Sequence, residues 1–89
     1  MVQAHLFISG IVQGVGFRQF VKFHARKSGL TGWVRNTEDG RVESILQGEK
    51  KIIEEMIVLC RKGPMLSEVR DIAVEWKDTT DSFQTFDII

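Results

Sequence analysis

A chain of 89 residues, 43% apolar and 27% charged, suits one small domain with its own core. Its twelve basic and twelve acidic side chains cancel, which removes the long-range field that draws proteins to nucleic acid or anionic membranes. A single cysteine excludes an internal disulfide and a multi-cysteine metal site; no run nears the roughly 20 apolar residues of a membrane span, and the opening lacks a signal peptide's basic start, so a cytoplasmic location is expected.

Residues 2–9 alternate, with Ala4, Leu6 and Ile8 on one face and His5, Phe7 and Ser9 on the other. That period predicts a strand. From Phe17 the period changes to that of a helix, with Phe17, Phe20, Val21, His24 and Ala25 on its apolar stripe and Arg18, Lys22, Arg26 and Lys27 largely off it. Ser28-Gly29 ends the helix, the glycine serving as a left-handed cap. Residues 30–35, with Trp33 and Val34, read as a second strand, and residues 36–40 as a hairpin turn marked by Asp39-Gly40. The chain returns over residues 41–47, where Val42, Ser44 and Leu46 alternate against Glu43, Ile45 and Gln47.

A second helix is expected over residues 49–62, burying Ile52, Ile53, Met56, Ile57 and Cys60 and stopped by Gly63-Pro64. Residues 69–76 alternate again through Ile72, Val74 and Trp76; residues 78–82 make a polar turn, and residues 83–89 a last short strand. The aromatics Phe20, Trp33, Trp76 and Phe86 are assigned to the core. Strand-helix-strand-strand-helix-strand, plus a terminal strand, predicts an α+β protein: a ferredoxin-like sandwich, its antiparallel sheet carrying both helices on one face. A single domain over residues 1–89 is expected.

Between the first strand and the first helix lies Gly10-Ile-Val-Gln-Gly-Val-Gly-Phe-Arg18. Glycines permit close approach and positive φ. A turn opening into a helix aims free N–H groups at one point, where the helix dipole favours an anion. Arg18 adds a permanent fork of donors suited to phosphate. No Lys-Ser/Thr pair follows the last glycine, as a nucleotide P-loop needs, and Gln19 stands where a dinucleotide fingerprint has glycine. No cysteine precedes the arginine, as a thiol phosphatase requires. A plain tight turn with a solvated Arg18 fits the same residues. Asn36 reaches the same end of the sheet in this topology; it can hold a water beside the cradle or simply open the hairpin.

Together, Gly10 to Arg18 and Gly32-Trp-Val-Arg-Asn36-Thr-Glu-Asp-Gly40-Arg-Val42 closely resemble the two signature segments of acylphosphatases, and the spacing, element order and length agree over essentially the whole chain. The resemblance implies hydrolysis of an acyl phosphate, a small-molecule partner, to a carboxylate and inorganic phosphate. It implies that Arg18 and the backbone N–H groups of the loop Gln13, Gly14, Val15, Gly16, Phe17 and Arg18 hold the phosphoryl oxygens, while Asn36 orients the attacking water. Gly16 stands at a position that varies in such proteins and has backbone alone to offer. No cofactor and no metal are implied, and a monomer is expected. The chemistry is consistent with this, since a carboxylate leaves without an acid catalyst and phosphoryl transfer depends on positioning and charge stabilisation.

Other polar residues carry weaker signals. His5 and His24 read as structural, and two separate histidines make no metal site. The third strand, Arg-Val-Glu-Ser-Ile-Leu-Gln, lacks the basic, aromatic pattern of an RNA-binding sheet. A module of larger carbamoyl-transferring maturation proteins is the remaining relative; an end at Ile89 favours a stand-alone enzyme.

Overall fold

A computed structural model describes all of residues 1–89. In chain order it contains β1 (Val2–Ile11), α1 (Phe17–Lys27), β2 (Thr31–Asn36), β3 (Val42–Gly48), α2 (Lys50–Lys62), β4 (Glu68–Asp78) and β5 (Phe86–Ile88). The strands form one sheet in the order β4-β1-β3-β2-β5, and no helix is long and apolar enough to cross a membrane.

The first four strands pair antiparallel, as the pattern predicts. The sheet as a whole is mixed, however, because β5 lies parallel to β2. The register gives the reason. Asp78, the end of β4, pairs with Val2 at the start of β1, and Thr31, the start of β2, lies at that same end beside Gln47. Residues 79–85 cross that end of the sheet, where Gln47 Nε2 donates to Asp81 O (3.2 Å) and Phe83 N–H donates to Gln47 Oε1 (2.9 Å). Having crossed, the chain turns back along β2, which starts from the same end, so the two strands run parallel. Consequently the C-terminal ends of β1, β2 and β5 all lie at the opposite end.

Alternation in β1 places Ala4, Leu6 and Ile8 against the helices, with Val34, Val42, Leu46 and Ile72 from the other strands. Phe17, Val21 and Ala25 of α1 and Ile53, Met56, Ile57 and Cys60 of α2 close the layer. Each large side chain so buried contributes about 1.5–3 kcal/mol. Burial also pushes the Cys60 thiol up to about 12, which leaves it a small core residue. Helix α1 ends as its sequence predicts: Gly29 adopts φ 75°, and the N–H groups of Gly29 and Leu30 close on Arg26 O and Ala25 O.

Three further expectations are corrected. Strand β1 continues two residues past Ser9, because a bulge between Ser9 and Gly10 lets it keep pairing with β4. Gly10 makes this possible, since a Cβ there would stand 2.1 Å from Glu68 O. Of the four aromatics assigned to the core, only Phe86 lies wholly inside; Phe20 is half-buried, edge-on to Phe17. Trp33 sits on the helix-free face beneath Arg35, and Trp76 lies at the sheet margin, 38% exposed, with Lys50 Nζ 5.5 Å from its ring.

The third correction concerns β3, which is buried from Val42 to Gln47 on both faces. A layer of half-buried side chains covers its helix-free side. Within it Glu43 accepts from His5 Nε2 (2.6 Å) and Arg35 Nε (2.8 Å). Burial alone would raise the Glu43 carboxyl, but the bonds from His5 and Arg35, and their charges, hold it below the usual carboxylate value.

Candidate active site

The loop from Val12 to Gly16 leaves the end of β1 and turns into α1. Gly14 and Gly16 adopt φ of 74° and 81°, and a Cβ on either would meet nothing within 4 Å. Conformation, rather than space, therefore calls for glycine here. Gly16 is also the N-cap of α1; no side chain caps the helix, and its first turn carries no acidic residue. The first bond onto Gly16 O comes from Phe20 N–H at 3.1 Å. The earlier N–H groups of the turn have no intrahelical acceptor, and the dipole concentrates partial positive charge among them.

A cavity of about 180 Å³ opens at this point. Gly14, Gly16, Phe17, Arg18 and Gln19 supply one side of it, Asn36 and Ile88 the other, and Val12 is the remaining lining residue. Val12 and Phe17 are each only 1% exposed, so the lining is anchored in the core. Arg18 is exposed and makes no ion pair. No carboxylate lines the space. The site is thus a small concavity carrying one free guanidinium and a helix N-terminus, a combination suited to a phosphoryl group.

Asn36 ends β2, opposite Val42 of β3, rather than opening the hairpin turn. Its Oδ1 is buried and has no hydrogen-bond partner in the protein. Asn36 also lines the cavity, and a carboxamide oxygen without a partner is an acceptor waiting for a donor. The turn after it is tied by its own residues. Thr37 N–H donates to Arg41 O (2.9 Å), Arg41 N–H to Thr37 Oγ1 (3.0 Å), and Asp39 accepts from the Thr37 hydroxyl and from Arg41 Nε. The Thr37 bond, with help from Arg41, holds the Asp39 carboxyl below its ordinary value against an opposing desolvation.

Of the residues expected to bind phosphate, Gly14, Gly16, Phe17 and Arg18 line the cavity together with Asn36, whereas Gln13 and Val15 do not. Val15 packs on the edge of the core, and Gln13 turns its side chain toward the β2–β3 turn. Sequence reasoning missed Val12, Gln19 and Ile88. Ile88 arrives only because β5 runs parallel to β2, held by Arg26 Nε donating to Phe86 O (2.9 Å) and by Ile89 N–H donating to Val34 O (3.0 Å). Nowhere do three or more His, Cys, Asp or Glu residues converge as metal ligands.

A profile of the acylphosphatase family matches residues 4–88. An acylphosphatase of Roseiflexus sp. (strain RS-1) is 45% identical over 89 residues, spanning 100% of this chain and 96% of the relative. The crystal structure of acylphosphatase from Bacillus subtilis superposes with a TM-score of 0.97 at 37% identity, covering 100% of this chain and 99% of that one. The crystal structure of T. kodakarensis HypF matches with a TM-score of 0.86 at 32% identity, over 100% of this chain but 12% of that one. With a matching profile, full-length relatives and the same fold around the same loop, the chain belongs to the acylphosphatase family of hydrolases.

Proposed function

We propose that the chain hydrolyses small acyl phosphates by direct in-line attack of water on phosphorus. The N–H groups of the loop over residues 13–18 and the Arg18 guanidinium grip the phosphoryl oxygens. The Asn36 carboxamide hydrogen-bonds the water and aligns it opposite the carboxylate leaving group. The new P–O bond forms as the bond to the acyl oxygen breaks. The carboxylate departs with the electron pair, and the water's proton passes to a phosphate oxygen, since an asparagine is no base at neutral pH.

The observation that carries this reading is that Asn36, Arg18 and the start of α1 line one cavity, and that the Asn36 Oδ1 has no partner in the protein. The cradle's donors stabilise charge on the equatorial oxygens, the part of catalysis that phosphoryl transfer relies on most. The low basicity of a carboxylate leaving group makes acid assistance dispensable, so the reaction needs no metal. We further propose that the protein works as a cytoplasmic monomer.

Phosphate release from an aromatic acyl phosphate tests the scheme. Rapid release by the parent and loss in folded Arg18→Ala and Asn36→Ala variants is the expected result. Asn36→Ala should lower kcat about 100-fold with little change in KM, because it positions water rather than substrate. A raised KM at unchanged kcat would overturn the role of Asn36, and an inactive, folded parent would overturn the hydrolytic reading.

A further inference from the structure

The parts of the proposed site sit on separate strands. The cradle leaves β1 and Asn36 ends β2, with β3 lying between them in the sheet. The β1–β3 ladder ends at the pair Ile8–Val42, and past it β1 pairs only with β4, through Ser9, Gly10 and Ile11. From there on, the loop over residues 12–16 is tied to the β2–β3 turn by one side chain. Gln13 Nε2 donates to Thr37 O at 2.8 Å and to Arg41 O at 2.9 Å.

A primary carboxamide has two N–H donors, and here both are committed. One goes to the residue directly after Asn36, the other to the residue that closes the turn. Arg41 O is itself the turn's hub, since it also accepts from Thr37 N–H (2.9 Å). The Gln13 amide therefore grips the most constrained part of the turn. Gly14, the next residue, lines the cavity and has φ 74°, so any shift of Gln13 passes directly into the cradle.

We propose that Gln13 is a positioning residue whose side-chain amide clamps the phosphoryl-holding loop to the β2–β3 turn and so sets the distance from bound phosphorus to the water on Asn36. The inference rests on the hydrolytic reading above. In that reading two elements must come within attack distance, and an error of about 1 Å costs on the order of 100-fold in rate. The cradle's own N–H groups and Arg18 stay on one continuous segment, so ground-state grip survives when the clamp is cut. Turnover should fall and affinity should not.

Three variants test this with the whole protein and an aromatic acyl phosphate. Gln13→Met keeps length and removes both donors; kcat should fall about 10- to 100-fold while KM moves less than about threefold. In an Asn36→Ala background the same change should cost less than about twofold, because there is no positioned water left to misplace. Gln13→Glu supplies the third readout. At neutral pH its carboxylate faces two carbonyl oxygens and donates nothing, a setting that raises its pKa. Once protonated it donates one bond, so its kcat relative to the parent should climb as pH falls, while the Gln13→Met ratio stays flat.

A parental kcat in folded Gln13→Met, an equal loss in both backgrounds, or a loss carried by KM would overturn the clamp. The Gln13→Glu profile is reversible within one protein, so it decides the question even if Gln13→Met fails to fold. An inactive, folded parent overturns the hydrolytic reading and the clamp with it; an active parent with indifferent Gln13 variants overturns the clamp alone.

Discussion

Helices α1 and α2 hold equivalent places in the two β-α-β halves, yet their N-termini are built differently. Neither has a side-chain cap, and neither carries an acidic residue in its first turn. Both therefore present the same unpaired donors and the same dipole. Helix α2 follows β3 through Glu49 alone, in an extended conformation with ψ 133°. Its first residue, Lys50, lies over Trp76. Helix α1 follows β1 through residues 12–16, ending on left-handed Gly16. What separates a candidate active site from an ordinary helix start is the loop, which wraps backbone around a concavity, and the neighbours that the sheet brings to its mouth.

The largest effect that should follow from this contrast is at Arg18, the second residue of α1. Replacing its planar fork by a point charge in Arg18→Lys should cost about 100-fold in kcat/KM with folding intact. Lys51 holds the equivalent place on α2 and is exposed. Lys51→Ala should change kcat/KM less than about twofold. Initial rates over a range of substrate concentrations, with far-ultraviolet circular dichroism as the folding control, decide both. Equal behaviour of the two variants would mean that helix position alone sets the activity.

Gly16→Ala sharpens the contrast at the backbone. A Cβ at Gly16 meets no atom, so the cost comes from forcing an L-residue into the left-handed region, about 1–2 kcal/mol. Urea unfolding should report that loss of stability. A larger fall in kcat/KM than the folded fraction explains is expected, because relaxation of the strain redirects the N–H groups of the first turn. At Gly10, by contrast, a Cβ would overlap Glu68 O, so Gly10→Ala should destabilise the sheet more strongly than Gly16→Ala. A milder effect at Gly10 would mean that the bulge relaxes freely.

How much of this was legible in the sequence follows from the range of each signal. Alternation at Ala4, Leu6 and Ile8 and the helical stripe at Phe17, Val21 and Ala25 report local burial, and the structure agrees with both. Gly29 announced its cap because the left-handed conformation is a local need. The signature segments located Arg18 and Asn36, which share one cavity. Illegible features depend on where the chain is carried next. Ile88 joins the cavity only because residues 79–85 cross the sheet. Trp33 and Trp76 have core composition but lie on the open face and at the margin. The unpaired Asn36 oxygen and the Gln13 clamp are relations between strands that spacing cannot express.

The smallest expected effect lies away from the cavity, on the helix-free face. Glu43 is 6% exposed and is held below the ordinary carboxylate value of 4.5 by its bonds to His5 and Arg35, which outweigh its burial. The folded protein thus favours the ionised carboxyl more than the unfolded chain does. The resulting stability is fully present above the unfolded value and is lost as pH falls through the lower folded value. Glu43→Gln keeps the shape but brings amide hydrogens toward donors, so it should melt below the parent at pH 7. The gap should close progressively below about pH 4.5, where the parent's carboxyl also loses its charge. Since Glu43 does not line the cavity, kcat should be unchanged where both proteins are folded. Thermal midpoints from pH 3 to 8 measure the effect; a constant gap across that range would show that the variant loses packing rather than the ion pairs.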